Sequence, residues 1–144
     1  MTVTPGIILP SPHPGQMWVR QNARRFNWLV AGRRWRKTTN GICIAVEKAL
    51  QGYPVFWGAP VYDQVRIAWD ELKKAAGRVA SFSQSSMTCQ FPHAGKIIFR
   101  SLDDPDNARG HTAALALLDE FPKIRPEAYY EVVRPMLMDT NGEL

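Results

Sequence analysis

The chain has 144 residues, 45% hydrophobic and 22% charged, which is the balance of a globular domain long enough to bury a core without disulfide or metal staples. It has no apolar run of bilayer length, no signal-like N-terminus, and only two cysteines, Cys43 and Cys89, without metal-ligand spacing. These features exclude membrane-spanning and disulfide-rich secreted classes and imply reduced thiols in a cytoplasmic protein. The net charge of +5 is unevenly spread, with seven Arg or Lys and no acidic residue in 1–40, against nine acidic and four basic residues in 101–144. Such an end suits a polyanion, whether nucleotide phosphate or nucleic acid, or is a solvated basic face.

Residues 1–15 are proline-rich and aperiodic, an extended lead-in to a single domain over 1–144. Gln16 to Ala23 is a candidate short helix with Met17 and Trp18 packing inward. Phe26–Ala31 is an apolar run between Asn and Gly, and predicts a central strand covered on both faces. From Thr38 to Leu50, Ile42, Ala45, Val46, Ala49 and Leu50 recur at helical spacing before Gly52. Pro54–Ala59 is a second apolar strand, ended by Pro60. Val61–Ala76 carries Val61, Val65, Ala68, Trp69, Leu72 and Ala76 on one face, an amphipathic helix closed by Gly77. Met87–Phe91 and Lys96–Arg100 flank Pro92-His93-Ala94-Gly95 and predict a hairpin. A polar stretch, Ser101–Thr112, leads to a last strand at Ala114–Leu118 and a last helix at Glu127–Met138. Strands alternating with helices argue for a mostly parallel sheet with helices on both faces.

Two segments have chemical potential. Ala31-Gly32-Arg33-Arg34-Trp35-Arg36-Lys37-Thr38-Thr39 lies between a predicted strand and a predicted helix, the layout of a phosphate-binding loop. In such a loop backbone N–H groups converge on phosphates at a helix N-terminus, the lysine adds a point charge, and the next hydroxyl ligates magnesium. The strict pattern asks for glycine at the positions of Ala31 and Arg36, so a basic turn at a helix start explains the segment equally simply. The second segment, Ala114–Leu118 followed by Asp119-Glu120, is an apolar strand ending in two carboxylates. An acid there can hold magnesium, and its neighbour can orient and deprotonate an attacking water. Alone, the pair reads as an exposed capping pair. Together, the two segments make a two-part nucleotide site.

With these residues in hand, the sequence resembles the N-terminal ATPase domain of the large terminase subunit of tailed phages, a motor that packages DNA. The resemblance rests on His13-Pro14-Gly15-Gln16, the Ala31–Thr38 loop, Ala59-Pro60-Val61-Tyr62-Asp63-Gln64, the Ser101–Gly110 segment and Leu118-Asp119-Glu120, in that order. It implies an α/β fold of the P-loop (ASCE) type: a mostly parallel sheet covered by helices, with a β-hairpin insertion. It implies an ATP hydrolase using ATP and Mg2+ with Walker A and Walker B motifs. By the same resemblance Lys37 contacts the terminal phosphates, with Gly32, Arg33, Arg34, Arg36 and Thr39 around it in the nucleotide-binding loop. Thr38 and Asp119 serve the metal, Glu120 is the catalytic base, and Gln16 reads the adenine. Arg109 is either a transition-state arginine or a loop salt bridge with Asp103, Asp104 or Asp106. The implied partners are double-stranded DNA, a portal protein, a small terminase subunit and further copies in a packaging ring, in the cytoplasm of a bacterial host of a phage or prophage.

The chain departs from the family at two places. Arg36 puts a Cβ where glycine lets backbone approach phosphate, and a positive φ there costs on the order of 1–2 kcal/mol. Family members also continue from a segment like Asn141–Leu144 into a coupling strand and later a nuclease domain. That strand lies between the Walker A and Walker B strands, so the sheet is expected to be incomplete at its C-terminal end. Rearrangement, another chain filling the gap, or a fragment of a longer gene would each account for it. A catalytically weak remnant that keeps fold and nucleotide or partner binding is therefore the alternative to a working motor. A helicase-like ATPase of superfamily two shares the strand–loop–helix order, but calls for a longer acidic box than Asp119-Glu120 followed by Phe121-Pro122.

Overall fold

The computed structural model describes residues 2–4 and 6–144. Its centre is strand β3, Val55–Ala59, every residue of which is buried. A strand covered on both faces needs apolar side chains at successive positions, which is what Val-Phe-Trp-Gly-Ala supplies. On one side β3 pairs in parallel with β6, Lys96–Ser101, and on the other with β7, Leu115–Leu118. Beyond β6 lie two antiparallel strands, β5 (Thr88–Gln90) and then β4 (Ser81–Ser83) at the edge, giving the order β4-β5-β6-β3-β7.

The alternation of side chains along the strands sorts the core into two layers. Val55, Trp57 and Ala59 pack with helices α2 (Lys37–Leu50) and α3 (Tyr62–Ala76) on one face. Phe56 and Ala116 pack on the other, against Ile124 and against Ala128, Val132, Val133 and Met136 of the C-terminal helical segment. That segment runs as α4 (Pro126–Ala128), a wide π turn over Tyr129–Val133, and α5 (Arg134–Met138). Pro135 lies just past the wide turn, where its missing N–H leaves the backbone unable to continue an unbroken ladder. The hairpin of β5 and β6 forms with Cys89 opposite Ile97. Its loop is tied to α2 by a bond from the Gly95 N–H to the Ala49 carbonyl, 2.7 Å.

Three local expectations are corrected. The lead-in is more than extended chain. β1 (Thr2–Thr4) and β2 (Ile7–Leu9) form an antiparallel pair, and Ile7 and Leu9 are buried in the α2–α3 layer. Helix α1 spans Pro14–Gln21, but Met17 and Trp18 point outward, 40% and 65% exposed, and Gln16 is the buried residue instead. Burial here follows the polar contacts of Gln16 rather than hydrophobicity.

The third correction concerns Phe26–Ala31. It is not a strand, and Phe26, Trp28 and Val30 are 53%, 66% and 81% exposed. An extended segment becomes a strand only when a neighbour takes up its backbone groups, and this one meets a neighbour at one end. Leu144 accepts from the Asn27 N–H (2.9 Å) and donates to the Arg25 carbonyl (2.8 Å). On its other side, Glu143 forms a parallel bridge with Leu115, through bonds to Ala114 and Ala116 of 2.8 Å each. The two residues Glu143 and Leu144 therefore stand between β7 and 25–31 as one strand width would. Past them the two edges border an open cleft, and the sheet is not closed.

Candidate functional site

The cleft has a volume of about 620 Å3 and runs along β7 and residues 27–30 to Lys37, Thr38, Asp119 and Glu120. Trp57, whose buried indole N–H has no acceptor among the described residues, also lines it. Its charged end lies where the parallel strand β7 finishes and helix α2 begins, the usual ligand end of an open α/β sheet.

The loop entering α2 is a single 3-10 turn, Arg33–Trp35, followed by Arg36 in the left-handed region at φ 60°, ψ 52°. This is the conformation that the glycine of a phosphate-binding loop adopts without cost, held here by a residue with a Cβ. Gly32, by contrast, has extended backbone, and a Cβ there would meet nothing within 4 Å. The glycine that fits the motif is thus sterically unnecessary, and the position that breaks the motif keeps the glycine geometry. Arg33, Arg34 and Arg36 are exposed, and their guanidinium groups have no partner among the described residues.

Thr38 and Asp119, remote in sequence, are joined by a hydrogen bond from Thr38 Oγ1 to Asp119 Oδ2 of 2.9 Å. The other carboxylate oxygen of Asp119 accepts the Glu120 N–H at 3.0 Å, while the Asp119 N–H is bonded to Gly58 of β3. The sheet thus fixes the backbone of Asp119, and its carboxylate leans towards the start of α2. Glu120 is exposed and left-handed at φ 51°, which turns the chain off the strand. Lys37 Nζ donates to the Ala31 carbonyl at 2.7 Å, closing the loop on itself. Thr39 faces α3, donating to Glu71 Oε1 at 2.6 Å.

Two oxygen donors converging in this way fit magnesium, which takes one or two protein ligands and completes its shell with water and phosphate. No group of three or more His, Cys, Asp or Glu positioned for a metal occurs among the described residues, so a site built wholly from such side chains is not present there.

Arg109 is exposed and paired, with Asp106 at 2.5 Å and Glu131 at 3.3 Å, and it does not line the cleft. Gln16 is 5% exposed, with its amide turned to the loop: Nε2 donates to Trp35 (3.1 Å) and Arg36 (3.4 Å) carbonyls. The residue that sequence reasoning passed over is His13. It caps α1 by accepting the Gln16 N–H, and its Nε2 contacts the Trp35 carbonyl at 3.1 Å. The available signal was His13-Pro14-Gly15-Gln16 itself, a capping residue, proline at the first helical position and glutamine at the third.

With this geometry, comparison with solved structures is informative. The chain superimposes on the large terminase ATPase domain of Thermus phage P74-26 with a TM-score of 0.82 and 21% identity, over 92% of its own length. A mutant of the same phage domain gives 0.83 and 20%, again over 92% of this chain. The chain has the terminase ATPase fold. It spans 62% of the length of the first of those structures. No protein-family model matches the sequence, and no curated protein matches it by sequence. No helix among the described residues is long and apolar enough to cross a membrane.

Proposed function

We propose that the chain is the nucleotide-binding part of a phage terminase large subunit, an ATPase that drives double-stranded DNA into a capsid with portal, small-subunit and like-subunit partners in the host cytoplasm. The observation that carries the reading is the Thr38–Asp119 contact of 2.9 Å at the carboxyl end of a parallel strand, beside Lys37, in a terminase-like fold. Thr38 Oγ1 and Asp119 Oδ2 would hold magnesium, which would supply positive charge beside the terminal phosphates. Lys37 exchanges the Ala31 carbonyl for phosphate oxygen, a swap of one hydrogen bond for a charge-assisted one. Glu120, exposed and adjacent, orients and deprotonates water. Arg33, Arg34 and Arg36 contribute positive potential at the mouth.

The test is titration of the chain with magnesium-ATP, with and without double-stranded DNA, alongside phosphate release. Lys37→Ala and Asp119→Asn should each weaken binding at least about tenfold, the size of a lost charge-assisted contact. Absence of binding by the parent chain sinks the nucleotide reading.

A second reading, a remnant that binds without turnover, has its own supporting observation. Among the described residues 26–31 makes backbone–backbone hydrogen bonds only to Leu144, so the loop lacks the paired strand behind it that close placement for catalysis demands. Binding without phosphate release selects that reading.

A further inference from the structure

We infer that His13 and Gln16 form a clamp that positions the phosphate loop for any polyphosphate, and that Gln16 does not select the base. The inference rests on the loop being a polyphosphate site, but its geometry is independent of what binds.

Every strong hydrogen-bonding direction of the Gln16 amide but one is engaged. Its two Nε2 hydrogens meet the Trp35 and Arg36 carbonyls, and Oε1 accepts the His13 N–H at 3.1 Å. A glutamine that reads adenine must present donor and acceptor together to one base edge, and turning Nε2 to a base here would break its contacts to two loop carbonyls. His13 completes the grip. A carbonyl can only accept, so Nε2 carries the proton toward Trp35 and Nδ1 is left as acceptor for the Gln16 N–H. A single tautomer satisfies both contacts. The ring also meets Trp35 edge-on at 5.0 Å.

The clamp acts at the strained point of the loop. The Arg36 carbonyl receives Gln16 Nε2 and the Asn40 N–H (3.0 Å) together, which holds Arg36 left-handed at the start of α2. Helix α1 is anchored to α2 by Arg20, through Asn40 Oδ1 (3.0 Å) and Glu47 (3.1 Å), so the grip has a fixed base. His13 and Gln16 are therefore positioning residues.

The experiment compares magnesium complexes of ATP, GTP and tripolyphosphate by calorimetry, using the parent chain, Gln16→Ala and His13→Asn. Gln16→Ala should weaken all three ligands by the same factor, roughly tenfold for two lost bonds to carbonyls. Weakening of ATP alone overturns the proposal and makes Gln16 a base reader. Asparagine is a strong N-cap but too short to reach Trp35, so His13→Asn should keep the melting temperature and still lose affinity. Parent-like affinity would reduce His13 to a helix cap.

Amide exchange supplies a readout that needs no ligand. Gln16→Ala should speed exchange at Asn40 and Trp35 roughly tenfold and leave Ile97 and Phe99 of β6 unchanged. Unchanged protection at Asn40 refutes the clamp whether or not the chain binds polyphosphate, whereas faster exchange with no polyphosphate binding sinks the nucleotide reading alone.

Discussion

Arg36 is the position where one substitution tests the most physics. It sits at φ 60°, ψ 52°, a conformation costing a residue with a Cβ about 1–2 kcal/mol, and its guanidinium has no partner among the described residues. Arg36→Gly removes that strain but adds about 0.5–1 kcal/mol of chain entropy to the unfolded state. The net expectation is a gain of about 0.5–1 kcal/mol, or roughly 2–3 °C in Tm for a chain of this size. Arg36→Ala separates the backbone effect from loss of the side chain, because alanine keeps the Cβ and should gain nothing. Thermal melts by circular dichroism, with urea midpoints as a second measure, should place the glycine variant above both parent and alanine variant. If glycine and alanine variants melt together, the loop is not held left-handed and the strain argument fails. If both lose stability, the guanidinium holds contacts that the geometry does not account for.

Other substitutions probe the scaffold beneath the site. A Cβ on Gly95 would fall on the Tyr53 carbonyl and lie 2.8 Å from that of Ala49, so Gly95→Ala should cost about 3 kcal/mol in urea unfolding. Arg20→Ala strips the buried Asn40 Oδ1 of its donor and should cost about 1–3 kcal/mol by the same measurement. Burial pushes the Cys89 thiol up to about 12 from an ordinary 9.0. The unfolded thiol ionises first, so its contribution is intact below pH 9 and is lost as pH rises towards 12. Stability should fall by about 1.4 kcal/mol per pH unit across that window, and a Cys89→Ala variant should lack this slope. Cys89 should also resist alkylation until the chain unfolds, since only the thiolate reacts.

Much of this architecture is legible in local pattern. The periodicity of Ile42, Ala45, Val46 and Ala49 and that of Val65, Ala68, Trp69 and Leu72 report helices against a sheet, because a helix buries one stripe wherever it lies. The runs at Val55–Ala59 and Leu115–Leu118 report strands covered on both faces for a similar reason. Phe26–Ala31 has the same composition and is not a strand. Its hydrophobicity is intrinsic, whereas pairing depends on whether another segment supplies backbone partners, and among the described residues only Leu144 does so.

The site divides along the same line. Lys37, Thr38, Asp119 and Glu120 are visible in sequence because a basic loop at a helix start, two acids at a strand end and residue type determine which chemistry each can supply. That Thr38 and Asp119 touch was decided by the parallel register of β3 and β7 beneath α2. Likewise Gln16 could be singled out from its motif, but which atoms its amide serves depends on where α1 docks against the loop. The sequence by itself determined the kinds of element and the reactive groups, because propensity, periodicity and side-chain chemistry are local. Only the tertiary structure decided the partner of each hydrogen bond, because a directional contact is made or lost over about an ångström.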